Sequence, residues 1–147
     1  MKKYFYILFV FLYSCTSNFQ LQEGDLLFQD LDSSPLCDAI ELVTPGYNEA
    51  NFSHIGFIIS DHGKLKVLEA IPPRVMLTEI DDFLSRSNDK DGNAKVIVGR
   101  LKDEYKNTIP KAVKFAHKKI EVDYDNIFIL DNGQYYCSEL LYEAFSK

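Results

Sequence analysis

Short apolar segments, separated by turn residues, follow one another along the chain after the first twenty residues. Five of them have the length and pattern of strands, at residues 24–28, 53–59, 65–70, 75–80 and 94–101. Helical spacing of apolar residues predicts three longer helices, one after Ser34-Pro35, one at about 107–120 and one from about Cys137 onward. Consecutive strands with helices on either side predict an α+β fold, a small antiparallel sheet with packed helices.

The clearest predicted hairpin turns at residues 61–64, where a glycine permits a tight reversal. If its loop has an even number of residues, Ser60 faces Leu65. His54 and Glu69 then project from the same face of the sheet, and the carboxylate can fix the imidazole tautomer. A loop of odd length would place Glu69 on the opposite face. Taken alone, the two residues are better explained as a strand-end histidine and a solvated glutamate.

Cys137 is the better of two nucleophile candidates. It lies where the last predicted helix starts, and the free N–H groups and dipole of a helix N-terminus stabilise a thiolate, as does a nearby imidazolium. Cys37 is expected inside the first predicted helix, which follows Ser34-Pro35, away from any capping position. The alternative for Cys137 is a purely structural role, because it heads an apolar stripe with Leu140, Leu141, Ala144 and Phe145.

Composition narrows the choice of function. The chain has 147 residues, 46% of them hydrophobic, which suits one globular domain and excludes general disorder. Its net charge of −6 and the lack of a basic run disfavour nucleic-acid binding. Three cysteines and three histidines exclude a disulfide-dense scaffold and a multi-cysteine zinc module. His62 and His117 have no partners at ligand spacing, so we expect neither a metal nor another cofactor.

The N-terminus has the features of a bacterial lipoprotein signal. Two lysines precede the apolar run Tyr4–Tyr13, which is shorter than the roughly 20 residues that span a bilayer. The sequence Leu12-Tyr13-Ser14-Cys15 resembles a lipobox, in which the cysteine is lipidated and becomes the first mature residue. We therefore predict a signal peptide at residues 1–14, an anchor or linker at 15–20 and one domain at 21–147, held on the membrane of the bacterial cell envelope through Cys15. The alternatives are an ordinary signal peptide or a short core segment.

Four segments occur in an order that resembles a known family. They are Gly24-Asp25-Leu26-Leu27-Phe28, Ser53-His54-Ile55-Gly56-Phe57, Leu68-Glu69-Ala70 and Tyr136-Cys137-Ser138-Glu139-Leu140. From about Leu21 to the C-terminus the chain resembles the YiiX/YebB-like group, which are circularly permuted, NlpC-type, papain-like cysteine hydrolases. The resemblance implies that fold and a catalytic set of Cys137, His54 and Glu69. Tyr124, followed by Asp125, matches a residue pair that precedes the cysteine helix in the family, and is expected to line the site.

The leading hypothesis is a cysteine hydrolase that cleaves an amide bond through a thioester. Its expected substrates are a peptide, a peptidoglycan stem or an acyl-amide. Two alternatives remain open at this point: a lipid acyltransferase or lipid-amide hydrolase of the same fold, and a non-catalytic lipoprotein that binds lipid or peptide. The sequence leaves the oligomeric state open.

Overall fold

The computed structural model describes residues 19–44, 46, 47 and 50–146. The five strands are β1 (Leu26–Gln29), β2 (His54–Asp61), β3 (Lys64–Ile71), β4 (Arg74–Glu79) and β5 (Val96–Gly99). The four α-helices are α1 (Pro35–Val43), α2 (Ile80–Leu84), α3 (Ile109–His117) and α4 (Cys137–Ser146), and a 3₁₀ helix at Asp103–Thr108 leads into α3. Cys15 and the predicted signal peptide lie outside the described residues. Within the described part of the chain, none of the helices has both the length and the apolar character needed to span a membrane.

The strands form one antiparallel sheet in the order β4-β3-β2-β1-β5. In the β2–β3 hairpin Ser60 pairs with Leu65 and Phe57 with Leu68, which is the register predicted for an even loop. Gln29 of β1 pairs with His54, so His54 begins β2 at the end of the sheet where β1 finishes. The architecture confirms the predicted α+β fold.

Helices cover the sheet, and the alternation of β2 divides the core into two clusters. Phe57 and Ile59 belong to the cluster formed with α3 and α4, while Ile58 belongs to a second cluster with Phe83 of α2. All four of these side chains are fully buried. Helices α3 and α4 also pack against each other. Because β2 and β3 are covered on both sides, their side chains have fixed positions, and both strands carry residues of the site.

Two predicted elements are shorter than expected. The strand predicted at 94–101 pairs only over residues 96–99, because its neighbour β1 is four residues long. The helix predicted at 107–120 ends as an α-helix at His117. Lys118 then bonds back to Phe115, in a tighter turn, and Glu121 has a φ of +73°. Neither difference moves a predicted site residue.

Candidate active site

His54 and Glu69 meet across the hairpin, on adjacent strands. The Nε2 atom of His54 lies 2.6 Å from Glu69 Oε2, and both side chains are buried. This contact follows from the register, which puts both side chains on one face of the sheet. Since Nε2 faces the carboxylate, Nδ1 is the imidazole nitrogen left for other chemistry.

Glu69 accepts further hydrogen bonds besides that of His54. Arg86 donates from Nη1 to Oε2 at 2.8 Å and from Nη2 to Oε1 at 2.6 Å, and the Thr78 hydroxyl donates to Oε1 at 2.5 Å. Burial raises the pKa of the Glu69 carboxyl, but the bonds from His54, Arg86 and Thr78 outweigh it and hold the pKa at about 2. Glu69 is therefore a carboxylate at neutral pH.

Cys137 is the first residue of α4, as predicted. The strand-like segment before the helix is tied down on its neighbour, since Tyr135 pairs with Tyr124 and its carbonyl accepts the Asp125 N–H at 3.0 Å. The Asp125 carboxylate in turn accepts backbone N–H groups of the following loop. These bonds fix where α4 begins, and so fix the half-buried thiol at the end of the sheet near His54.

His54 and Cys137 lie close enough for each to shift the pKa of the other. Burial lowers the pKa of His54, but bonding to Cys137 and Glu69 raises it to about 9. Burial raises the pKa of the Cys137 thiol, but the hydrogen bond and positive charge of His54 lower it below its ordinary value, with added contributions from the backbone of Ile55 and Ser138. The arrangement therefore favours a thiolate–imidazolium pair, the reactive form of a cysteine nucleophile.

A cavity of about 180 Å³ opens beside this pair. His54, Cys137, Ser53 and Ser138 line this cavity, and most of its wall is apolar. The other lining residues are Phe28, Ile40, Thr44, Phe52 and Ile55. A substrate group that enters next to the thiol thus meets a mainly hydrocarbon surface.

Tyr124, the predicted lining residue, lies near this cavity without being part of its wall. Burial and then the negative charge of Cys137 raise the pKa of its hydroxyl to about 12, so the phenol stays protonated. Its ring packs edge-on against Phe128, with 6.4 Å between the ring centroids, and Phe128 in turn contacts Tyr136. The structure thus brings Tyr124 close to the predicted nucleophile, in an aromatic cluster with Phe128 and Tyr136.

The expectation that Cys37 lies in the middle of a helix is wrong. Ser34 is the N-cap of α1 and Pro35 its first residue, which puts Cys37 in the first turn, with its N–H bonded to the Ser34 hydroxyl. Burial raises the pKa of the Cys37 thiol, but hydrogen bonds from Ser33 and Ser34 outweigh it and lower the pKa. Cys37 therefore has one of the two activators, a helix N-terminus, and what distinguishes Cys137 is its histidine and its position in the cavity wall.

Three carboxylates come together at a second place, near the start of α1. Oxygens of Asp30, Asp32 and Glu41 lie within 4.8 Å of one another, close enough to share a cation. Lys95 Nζ already lies 2.8 Å from Asp30 and 2.5 Å from Asp32, so its ammonium group neutralises part of this charge. Burial, with the charges of Asp30 and Asp32, raises the pKa of Glu41.

Arg86 and Thr78 were not predicted from the sequence. Thr78 pairs with Val67 in the β3–β4 register, so its side chain shares a face with Glu69. A register for the β3–β4 pair would have located it. Arg86 lies in the irregular segment after the short helix α2, and no periodic pattern relates it to Glu69, 17 residues earlier.

Comparison with solved structures gives a match to metalloprotein yiiX from Escherichia coli O157:H7, with a TM-score of 0.68 and 26% sequence identity. The aligned region covers 87% of this chain and 66% of that one, so this chain spans about two thirds of its relative's length. Comparison with curated proteins gives no match.

A family model for permuted papain-like amidase enzymes, YaeF/YiiX, C92 family, matches residues 20–147. That range includes all five strands, all four α-helices and the cluster of His54, Glu69 and Cys137. By this match the chain belongs to the YaeF/YiiX, C92 family of permuted papain-like amidases.

Proposed function

We propose that the chain hydrolyses an amide bond with Cys137 as nucleophile, His54 as general acid and base, and Glu69 as the residue that orients His54. The observation that carries the proposal is the continuous set of contacts from Cys137 through His54 to Glu69 at the wall of an open cavity. Membership of an amidase family supports the same reaction class.

In the first half of the reaction the Cys137 thiolate attacks the amide carbonyl and forms a tetrahedral oxyanion. The N–H of Cys137, at the first position of α4, has no acceptor within the helix and can donate to that oxyanion. The imidazolium of His54 then passes its Nδ1 proton to the departing amine, the C–N bond breaks, and the acyl group remains on sulfur as a thioester.

In the second half, neutral His54 takes a proton from water while the water oxygen attacks the thioester carbonyl. The C–S bond breaks, the carboxylic acid is released, and the thiolate–imidazolium pair is restored. Throughout, Glu69 accepts the Nε2–H of His54, so the imidazole keeps Nδ1 directed at the reacting atoms.

The apolar cavity favours an acyl-amide over a polar peptide as substrate. Phe28, Phe52 and Ile55 line the space next to Cys137, and an alkyl or aromatic acyl group would bury apolar surface there. If an alcohol or amine replaces water in the second half, the same thioester gives acyl transfer, which is the second candidate function.

Attachment to the membrane of the bacterial cell envelope through a lipid on Cys15 is part of the proposal.

The solved relative is described as a metalloprotein. In this chain the carboxylates of Asp30, Asp32 and Glu41, partly neutralised by Lys95, could share a cation, and no step above passes through them.

The test is a panel of fluorogenic anilides of increasing acyl length, assayed beside a set of muropeptides. We expect turnover of apolar acyl-anilides, lost by more than about 1,000-fold in Cys137→Ala and retained in the matched control Cys37→Ala. Intact-protein mass spectrometry should find an acyl adduct on the wild-type protein that is absent from Cys137→Ala. Turnover that survives Cys137→Ala would refute the mechanism, while cleavage of muropeptides alone would refute the acyl-amide preference.

A further inference from the structure

Arg86 donates bidentate hydrogen bonds to the two oxygens of the Glu69 carboxylate, with N–O distances of 2.6 and 2.8 Å. Glu69 is completely buried, whereas the Arg86 side chain is 24% exposed. The guanidinium carbon lies 5.4 Å from the centre of the Phe83 ring, and that ring lies 5.9 Å from the His54 ring. Arg86 thus closes the far side of the Glu69–His54 pair from solvent.

These bonds use the acceptor capacity of the carboxylate almost fully. A carboxylate has about four lone-pair directions, and Glu69 receives one bond from His54, one from Thr78 and two from Arg86. With both oxygens held, the carboxyl group cannot rotate away from Nε2. The forked geometry of arginine supplies this restraint, which a single point charge would not.

Arg86 also supplies the charge that a buried carboxylate needs. A carboxyl group without a permanent cation beside it takes up a proton when it is removed from water. A protonated Glu69 would no longer stabilise a positive charge on His54, and the Cys137 thiolate would lose its partner. The effect of Arg86 would therefore reach the sulfur through Glu69 and His54 in turn.

We propose that Arg86 is a positioning residue for the amidase reaction, which keeps Glu69 ionised and aimed at His54 so that Cys137 is held as a thiolate. This inference rests on the proposed function of these residues. Arg86 itself contacts the carboxylate, so its role is indirect and should disappear when Glu69 has already been replaced.

The chain contains a matched control. Arg100 also binds a carboxylate through two nitrogens, Nε to Asp25 Oδ1 and Nη2 to Asp25 Oδ2, both at 2.7 Å, and Asp25 is also completely buried. This second pair lies at the other end of β1, and its carboxylate bonds the backbone N–H of Gln22. Arg100→Met thus removes an equivalent ion pair away from the site.

The experiment follows the rate at which iodoacetamide labels Cys137 between pH 4 and 9, a readout that needs no substrate. It uses a Cys37→Ala background, so that Cys37 does not contribute to the labelling. For Arg86→Met we expect labelling at pH 6 to fall by about 10-fold, with its midpoint moved to higher pH, and kcat to fall while KM is nearly unchanged. Guanidinium chloride at tens of millimolar should restore part of the labelling rate of Arg86→Met. The labelling rate of Arg86→Lys should lie between those of wild type and Arg86→Met. Arg100→Met should lose stability without any of these changes.

A double variant tests the indirect path. Glu69→Gln combined with Arg86→Met should be no slower than Glu69→Gln alone, since the carboxylate that Arg86 keeps ionised is already gone. Additive losses, or a wild-type labelling profile in Arg86→Met, would overturn the inference. If Arg86→Met does not fold, the Arg86→Lys profile decides in the same way. The proposed function fails separately, by turnover that persists in Cys137→Ala.

Discussion

Glu69 packs directly over Gly56, where a side chain would lie 3.3 Å from the Glu69 Cβ and 2.6 Å from Val67 Cγ1. Gly56 is two residues from His54 on the same face of β2. The Glu69 side chain therefore extends across Gly56 to reach the imidazole. The sequence motif that contains His54 and Gly56 thus specifies both a base and the space for its carboxylate.

Replacing Gly56 tests this packing. Gly56→Ala is expected to lower the free energy of unfolding by about 1–3 kcal/mol, because the new methyl group overlaps Val67 in a filled core. Urea unfolding measures the change, and Cys137 labelling should slow in the same variant as Glu69 is displaced. Val67→Ala in the Gly56→Ala background should recover part of the lost stability. An unchanged unfolding midpoint in Gly56→Ala would contradict the close approach.

Much of the site could be predicted because it depends on local patterns. The parity of one tight turn determines whether His54 and Glu69 share a face, and the start of an apolar helical stripe locates Cys137 at a helix N-terminus. Both rules act over a few residues, so neither needs the tertiary fold. The resemblance of the motifs to a known family then implied that Cys137, His54 and Glu69 form one site.

The rest depends on tertiary packing or on a rule applied in the wrong place. Arg86 reaches Glu69 from an irregular segment whose path is set by the packing of Phe83 in the core, which no spacing in the sequence reveals. For Cys37 the signal was present: Ser34 caps α1 and Pro35 begins it, so Cys37 had to fall in the first turn.

Glu69 should stabilise the fold in a pH-dependent way. Its pKa is about 2 in the folded protein against 4.5 ordinarily, so its contribution is fully present above pH 4.5 and is lost as the pH falls towards 2. The stability difference between wild type and Glu69→Gln, measured by urea unfolding, is therefore expected to shrink as the pH is lowered from 5 to 3. Other acidic groups are common to both proteins and cancel in this difference. A difference that is constant over this range would show that Glu69 does not titrate as described.

Turnover and thiol reactivity should separate at alkaline pH. The pKa of His54 is about 9, so above that value the imidazole cannot protonate a departing amine, whereas the Cys137 thiolate persists. We expect kcat for an acyl-anilide to fall as the pH rises through about 9, while the rate of Cys137 alkylation stays on its plateau. Parallel losses of both would point to unfolding or to another titrating group.

Cys15 is expected to carry the membrane anchor, by a route independent of catalysis. Cys15→Ala should either block lipoprotein processing or move the protein from the detergent phase to the aqueous phase in Triton X-114 partitioning, because the residue that would carry the acyl chains is lost. Cys137 labelling should remain at the wild-type rate in the released protein. Retention of Cys15→Ala in the detergent phase, with normal processing, would rule out the lipobox.

The two described thiols, Cys137 and Cys37, should react at different rates. Both lie in the first turn of a helix and both have a lowered pKa, so a helix N-terminus alone does not distinguish them. Cys137 differs in having His54 as partner and in lining the cavity. The Cys37 side chain is buried and hydrogen-bonded to the hydroxyls of Ser33 and Ser34. At pH 7, iodoacetamide should therefore alkylate Cys137 at least about 10-fold faster, since the accessible thiolate is the reactive species.

Variants of His54 and Glu69 separate the causes of that difference. His54→Ala should slow alkylation of Cys137 and leave that of Cys37 unchanged, because His54 lowers the pKa of Cys137 and does not contribute to that of Cys37. Glu69→Gln should slow alkylation less, yet still depress kcat, since it disturbs the orientation of the base without removing it. Peptide mapping by mass spectrometry after timed alkylation measures both sites in one sample. Equal rates at the two thiols in the folded protein, or a His54→Ala variant that labels like wild type, would refute the Cys137–His54 pair and favour a protein that binds its ligand without cleaving it.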